Sequence, residues 1–371
     1  MYRTWIEIDT EALQHNLKVL QGFLNSETKI LATVKANAYG HGLKEISKII
    51  FEAGVNSFGV DTLDDALKLR EAFPSAQVVV LGYILKEDLP KAINAGLEFV
   101  VYNLETIEAL KSISSEHQAK VHLKIETGTA RQGILLKNLA QILDLLKSTD
   151  KIKLVGLSTH FATAEETGEN NFFVQQLETF KQAEHQIKEA GFSPEHIHCA
   201  CSAAIFLHPE AQGTLVRAGI AMYGIWPSEE IKKVMSGTVL KPVLSWKTRI
   251  AQIKEFPIGT SIGYGQTEVL SKPGRVAVLP VGYFDGYDRR LSSVGEVLVG
   301  GKPCKVLGRI CMNMMMIDVS EVPGAKIEDE VILIGPNGEN SVTADDLSGK
   351  MNTIAYEVLA RLRADLPRLV K

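Results

Sequence analysis

Apolar residues follow two rhythms along the first two thirds of this chain. Short, mainly apolar runs occupy residues 30–34, 57–60, 78–83, 97–102, 121–125, 154–159, 196–199 and 215–223. Such runs, bounded by turn residues, read as buried strands. Between most of them, at 63–73, 106–113, 139–146 and 172–187, apolar residues recur at helical spacing. Strand and helix alternating eight times predict an α/β protein with a (β/α)8 barrel of the TIM type. An open doubly wound sheet is the competing solution, but it normally carries a glycine-rich phosphate turn after its first strand. Here the first turn carries Lys35 instead.

The flanking segments break this rhythm. Trp5-Ile6-Glu7-Ile8 alternates like a strand that can join a second domain, and Asp9 or Thr10 can cap a helix running to about Leu24. After Gly224, Pro227 and Ser228 interrupt the pattern and a short helix is expected over 230–235. Strand-like runs follow at 243–253, 275–281, 294–299, 304–307, 314–319 and 330–334, with no helices of barrel length between them. The prediction is a mainly antiparallel β domain. With 371 residues the chain exceeds a usual single domain, and the expected division is a barrel over 1–236 and a β domain over 237–371.

Barrels place their chemistry at the C-terminal ends of strands. The residues ending these runs are Lys35, Lys124, His160, Ser202 and Arg217. Lys35 opens the loop Lys35-Ala36-Asn37-Ala38-Tyr39-Gly40-His41-Gly42, whose glycines let backbone approach a ligand before Leu43 starts a helix. A desolvated lysine there can form a Schiff base or take a proton; a lysine snorkelling out beside a turn is the plainer alternative. Alternation in Val121-His122-Leu123-Lys124-Ile125 puts Lys124 on the face opposite Leu123 and Ile125, pointing inward. Arg217-Ala218-Gly219-Ile220 places an arginine ahead of backbone amides near a glycine, which suits anion binding, although a rim salt bridge is also open. Ser202 reads as a cradle hydroxyl or a helix cap, His160 as a site group or a core histidine, and Tyr264, between two glycines, as a turn aromatic.

A net charge of −4 and a pI near 6.2 give no reason to expect nucleic acid or an anionic membrane as partner. No membrane-length apolar stretch or signal peptide stands out, so a cytoplasmic protein with a small-molecule substrate is expected. Cys199, Cys201, Cys304 and Cys311 are too few and too oddly spaced for a disulfide framework or zinc site, so buried free thiols and no metal are expected.

The stretch Thr33-Val34-Lys35-Ala36-Asn37-Ala38-Tyr39-Gly40-His41-Gly42 closely resembles the pyridoxal-phosphate attachment motif of bacterial alanine racemases, and the resemblance covers nearly the whole chain. It implies pyridoxal 5'-phosphate joined to Lys35, with Tyr39, Ser202, Gly219, Ile220 and Tyr356 at the phosphate. Arg217 matches the arginine at the pyridine nitrogen and His160 the histidine that orients it. Ser261-Ile262-Gly263-Tyr264-Gly265-Gln266-Thr267 resembles the motif of the second base, making Lys35 and Tyr264 the pair that serves the two faces of the α-carbon. Met312 matches the residue whose backbone meets the substrate carboxylate, and Tyr283 a residue at the site entrance. In many relatives the lysine matching Lys124 is carbamylated and steers the arginine matching Arg131 toward cofactor and substrate. The chain departs from the commoner wording at Glu126, Thr129, Ala130, Gln132 and Asn313, which bears on loop geometry and on that modification. The family further implies a head-to-tail homodimer with composite sites, racemisation of alanine, and D-alanine for peptidoglycan. Two rivals share the barrel type. A non-catalytic cofactor-handling protein lacks the β domain, and a decarboxylase of basic amino acids expects a different nitrogen partner from Arg217.

Overall fold

The computed structural model describes residues 1–168 and 171–371, which form two compact units. One comprises Leu13–Ala36 and Ile46–Lys241; the other comprises Met1–Ala12, Asn37–Glu45 and Pro242–Lys371.

The chain's first strand, β1 (Thr4–Ile8), belongs to the second of these units. The first unit holds β2 (Lys29–Thr33), β3 (Ser57–Val60), β4 (Gln77–Val80), β5 (Glu98–Val101), β6 (Ala119–Glu126), the two-residue β7 (Ile134–Leu135), β8 (Ile152–Ser158), β9 (His196–His198) and β10 (Leu215–Ala218). All pair in parallel, in the order β10-β2-β3-β4-β5-β6-β8-β9, with β7 beside β6. The two ends of this order meet. Thr214 N–H donates to the Ile197 carbonyl (3.0 Å), Arg217 N–H to the Ala200 carbonyl (2.9 Å), and Cys201 and Arg217 form a parallel bridge. The predicted eight-stranded barrel is therefore present and nearly closed. Leu31, Val79, Val100 and Leu215 pack together, all but fully buried. Asp9 accepts from Ala12 N–H (2.8 Å) and starts the helix Thr10–Gly22, whose Leu13, Leu17 and Leu20 are buried. Thr62 and Asn103 cap two further helices in the same way.

Two expected barrel strands stop three or more residues before the ends of their apolar runs. β4 ends at Val80, and the run at 215–223 breaks at Gly219 into β10 and a 3-10 turn, Ile220–Tyr223. The leftover at 220–223 is buried, so apolarity marks burial there and not pairing, whereas in the other leftover Leu81 is only partly buried and Tyr83 is exposed.

The larger departure follows β2. Lys35–Tyr39 was expected as loop but forms a left-handed helical turn, with φ of 53°, 54°, 52° and 52° at Ala36, Asn37, Ala38 and Tyr39. Such a conformation costs roughly 1–2 kcal/mol per residue with a Cβ, so surrounding contacts must hold it. Asn37 Oδ1 accepts from Leu43 N–H (2.9 Å), and the Arg368 guanidinium donates to the Gly40 carbonyl (2.7 and 3.1 Å). A Cβ at Gly40 would stand 2.0 Å from the Leu359 carbonyl oxygen, so only glycine fits that approach.

In the second unit, β11 (Leu244–Arg249), β12 (Gln252–Phe256), β13 (Ser261–Ile262), β14 (Glu268–Val269), β15 (Gly274–Leu279), β16 (Glu296–Val299), β17 (Lys302–Leu307), β18 (Met315–Asp318), β19 (Glu330–Asn337), β20 (Asn340–Val342) and β21 (Arg368–Val370) accompany β1. The main sheet runs β12-β15-β18-β17-β16-β19-β11-β1-β21, with only the β1–β21 pair parallel. It is the mainly antiparallel domain expected from the sequence. The single run at 243–253 becomes two strands because β11 pairs with β1 and β19 whereas β12 pairs with β15. Two helices not expected there, Ala344–Met351 with a Thr343/Asp346 capping box and Ala355–Ala360, precede β21.

Candidate active site

Lys35 lies two residues beyond β2, half-buried. Burial lowers its amine below the ordinary lysine value; Asp61 opposes this, while Arg131 and Arg217 lower it further. Lys124 comes from β6 between buried Leu123 and Ile125, as alternation predicts, and donates to Gln132 Oε1 (3.2 Å). Burial, then Arg217 and Arg131, push its amine down to about 8 against the pull of Glu126.

Arg217 is held on several sides. Its guanidinium donates to His198 Nδ1 (2.9 Å), to the carbonyls of His198 (2.6 Å), Thr159 (2.7 Å) and Cys199 (3.1 Å), and to His160 Nδ1 (3.2 Å). His160 is held well below the ordinary histidine value by burial and by the neighbouring Arg217 and Arg131, so it stays neutral and can accept from the guanidinium. Arg131 is exposed on a loop gathered around Glu126, whose carboxylate accepts from the N–H groups of Gly128 (2.6 Å), Ala130 (3.0 Å) and Arg131 (3.1 Å). Burial alone would raise that carboxyl, but these bonds hold it below the usual range.

Ser202 opens the short helix Ser202–Leu207, and its buried Oγ accepts from Gly219 N–H (2.9 Å) and Ala221 N–H (3.5 Å), beside buried Ile220. The barrel unit thus gathers Lys35, Lys124, Arg131, His160, Ser202, Arg217, Gly219 and Ile220. Four cations, with Asp61 opposing at Lys35 and Glu126 at Lys124, favour an anionic ligand, and the amines suit one carrying a group that condenses with them.

The other predicted residues lie in the second unit. Tyr39 and Tyr356 place their rings 6.0 Å apart. Tyr264 is 69 % exposed and lines a groove of about 400 Å³ with Phe256, Ile262, Cys311 and Met316. Met312 is exposed, and its carbonyl accepts from Phe284 N–H (3.0 Å). A Cβ at Gly282 would stand 2.2 Å from the Cys311 carbonyl oxygen, so that glycine permits the two loops to meet. Fully buried Asp285 ties the first loop down through Gly282 N–H (3.0 Å) and Arg363 Nη1 (2.7 Å).

Sequence reasoning passed over His122, His198, Asp61 and Asp285. A signal existed for the histidines, since His122 precedes Lys124 by two on one strand and His196-Ile197-His198 alternates polar and apolar. The thiols divide: Cys199 and Cys304 are buried as expected, whereas Cys201 and Cys311 are partly exposed. Among the described residues no cluster of His, Cys, Asp or Glu could hold a metal, and no helix is long and apolar enough to cross a membrane.

Comparison with known proteins gives concordant results. The family model "Alanine racemase, N-terminal domain" matches residues 8–227, and "Alanine racemase, C-terminal domain" matches 243–370. An alanine racemase of Leptospira interrogans is 39% identical, covering 100% of this chain and 96% of its own length. One from Halothermothrix orenii is 38% identical over 99% and 97%. The crystal structure of alanine racemase from Bacillus anthracis with bound L-Ala-P superposes with a TM-score of 0.94 at 35% identity, covering 100% of this chain and 96% of that one. Residue pattern, barrel, β domain and relatives agree, and this chain belongs to the alanine racemase family of isomerases.

Proposed function

We propose that this chain is a pyridoxal-phosphate-dependent alanine racemase interconverting L- and D-alanine with two bases, the Lys35 amine and the Tyr264 hydroxyl. The observation that carries the reading is Arg217, fixed by hydrogen bonds on several sides beside a lysine whose amine is held below its ordinary value. The donor set suits the cofactor: Lys35 for its aldehyde, Ser202, Gly219, Ile220, Tyr39 and Tyr356 for its phosphate, and Arg217 for its ring nitrogen. Bound there, pyridoxal phosphate supplies the electron withdrawal that acidifies the α-carbon. Arg217 keeps its proton above about pH 12 and leaves the ring nitrogen bare, which favours return of a proton to carbon over elimination. His160 orients that guanidinium. Arg131 and the Met312 backbone take the substrate carboxylate. Lys35 Nζ exchanges the proton on one face and Tyr264 Oη on the other.

With its amine pushed down to about 8, Lys124 is unprotonated in roughly one molecule in ten at pH 7, which supports its carbamylation and a charge-assisted hold on Arg131. The exposure of Tyr264, Met312, Tyr283 and Phe284 supports a head-to-tail homodimer in which each copy completes the other's site. The proposed setting is the cytoplasm, where the product serves peptidoglycan synthesis.

Chiral chromatography of L-alanine incubated with the cofactor-loaded protein in deuterated water tests the reading, with deuterated D-alanine as the expected product. Tyr264→Phe should suppress proton abstraction from one enantiomer far more than from the other. A cofactor-loaded protein that racemises no amino acid would refute the proposal, and equal mild losses in both directions would remove Tyr264 from it.

A further inference from the structure

One chain of hydrogen bonds leaves the site and runs down the barrel interior. Arg217 Nη1 donates to His198 Nδ1 (2.9 Å), His198 Nε2 lies 2.8 Å from His122 Nδ1, and His122 Nε2 lies 2.9 Å from Glu98 Oε2. Both imidazoles are fully buried. Glu98 opens β5, so it sits at the N-terminal end of the barrel strands, whereas Lys35 follows the C-terminal end of β2. The chain continues through Gln77, which donates to Glu98 Oε2 (2.7 Å) and contacts His196 Nε2 (2.8 Å), while its Oε1 accepts from Ser57 (2.8 Å).

The direction of this chain is set at both ends. A guanidinium only donates, and an ionised carboxylate only accepts. His198 Nδ1 must therefore be bare, its proton must sit on Nε2, His122 Nδ1 must accept it, and His122 Nε2–H must point at Glu98. Each ring then carries one proton and no charge. Burial first, and the Arg217 charge, hold His198 well below the ordinary histidine value. Burial would raise the Glu98 carboxyl, but the bonds from His122 and Gln77 hold it below the usual range, consistent with the ionised end. The fold leaves room for this arrangement: Gly156 on β8 faces His122, and a Cβ there would stand 2.0 Å from its Nδ1.

We propose that Glu98 is a positioning residue for Arg217, acting from the far end of the barrel through His122 and His198, both locked as neutral Nε2–H tautomers. The negative end balances the half-buried guanidinium, and the hydrogen-bonded rings leave His198 Nδ1 one partner and Arg217 one seat. For the role of Arg217 this rests on the racemase reading.

Histidine-selective 15N NMR of the cofactor-loaded full-length protein, with single His→Gln variants assigning the nine rings, reads the chain directly. His122 and His198 should each show a protonated Nε2 and a bare Nδ1; a proton on either Nδ1, or two on either ring, overturns the proposal. Glu98→Gln keeps an acceptor oxygen and should keep both tautomers. Glu98→Ala should broaden the resolved Arg217 guanidinium signals and lower kcat on the order of tenfold to a hundredfold with KM little changed. Unchanged Arg217 signals and kcat in that variant overturn the proposal. The tautomer readings on parent and Glu98→Gln stand even where Glu98→Ala does not fold. A parent protein that racemises nothing ends the functional reading and leaves these nitrogens measurable, whereas Nδ1–H rings in an active racemase end this proposal alone.

Discussion

Gly156→Ala makes the most exacting test of the packing beneath the site. The new Cβ would stand 2.0 Å from His122 Nδ1, 2.5 Å from Cγ and 2.6 Å from Cε1, about 1.5 Å short of van der Waals contact. The ring cannot retreat that far and keep its bonds of 2.8 Å to His198 and 2.9 Å to Glu98. Overpacking costs roughly 1–3 kcal/mol, and stranding a buried polar group costs about as much again. The expected loss is about 2–6 kcal/mol. Gly349→Ala is the control, since its Cβ meets nothing within 4 Å on the helix Ala344–Met351. It should stabilise by about 0.5–1 kcal/mol. Urea titrations, compared at unchanged m-value, report both. Removing the ring as well, in Gly156→Ala/His122→Ala, takes the obstacle away, so the pair should cost less than the sum of the single changes. A Gly156→Ala protein within about 0.5 kcal/mol of the parent, or strict additivity in the pair, would refute the reasoning.

Two further predictions concern charge. The Lys124 amine sits at about 8 in the folded chain against an ordinary value of 10.5, so between those values the unfolded chain binds more protons and stability rises with pH. In buffer free of carbon dioxide, urea midpoints should climb more steeply from about pH 8 upward in the parent than in Lys124→Met; parallel profiles would contradict a desolvated ammonium there. Asp285→Asn removes the charge facing Arg363 while the guanidinium stays about a quarter exposed, its side chain being 23% accessible. Solvent screening reduces the expected loss to about 1–3 kcal/mol. Hydrogen exchange should quicken across residues 282–287, and unchanged protection there would show that the loop is held by other contacts.

Much of the architecture was legible because parallel barrel strands are buried on both faces and therefore appear as short, mainly apolar runs. The runs overshot at 81–83, where Leu81 N–H still reaches the Val60 carbonyl but Tyr83 turns out to solvent, and at 219–223, where buried residues continue in a 3-10 turn. In the β domain the run at 243–253 concealed a change of partner, since each half satisfies its backbone on a different neighbour. The helices at 344–360 escaped notice inside a region whose strands dominated the pattern.

The sequence by itself put Lys35, Lys124, His160, Ser202 and Arg217 at or just beyond the C-terminal part of barrel strands, because the apolar runs of buried strands can be read locally even where pairing stops short of them. It also carried the motif around Lys35, and with it the family. Tertiary structure alone decided the left-handed turn at Ala36–Tyr39, which no local preference of alanine or tyrosine would select and which neighbouring contacts hold. Tertiary structure also decided the line from Arg217 to Glu98. Its members lie on β10, β9, β6 and β5, far apart in the chain, and closing the barrel turns them inward onto one another. A hydrogen bond needs its partners within about 3 Å, and only the fold brings such distant residues that close.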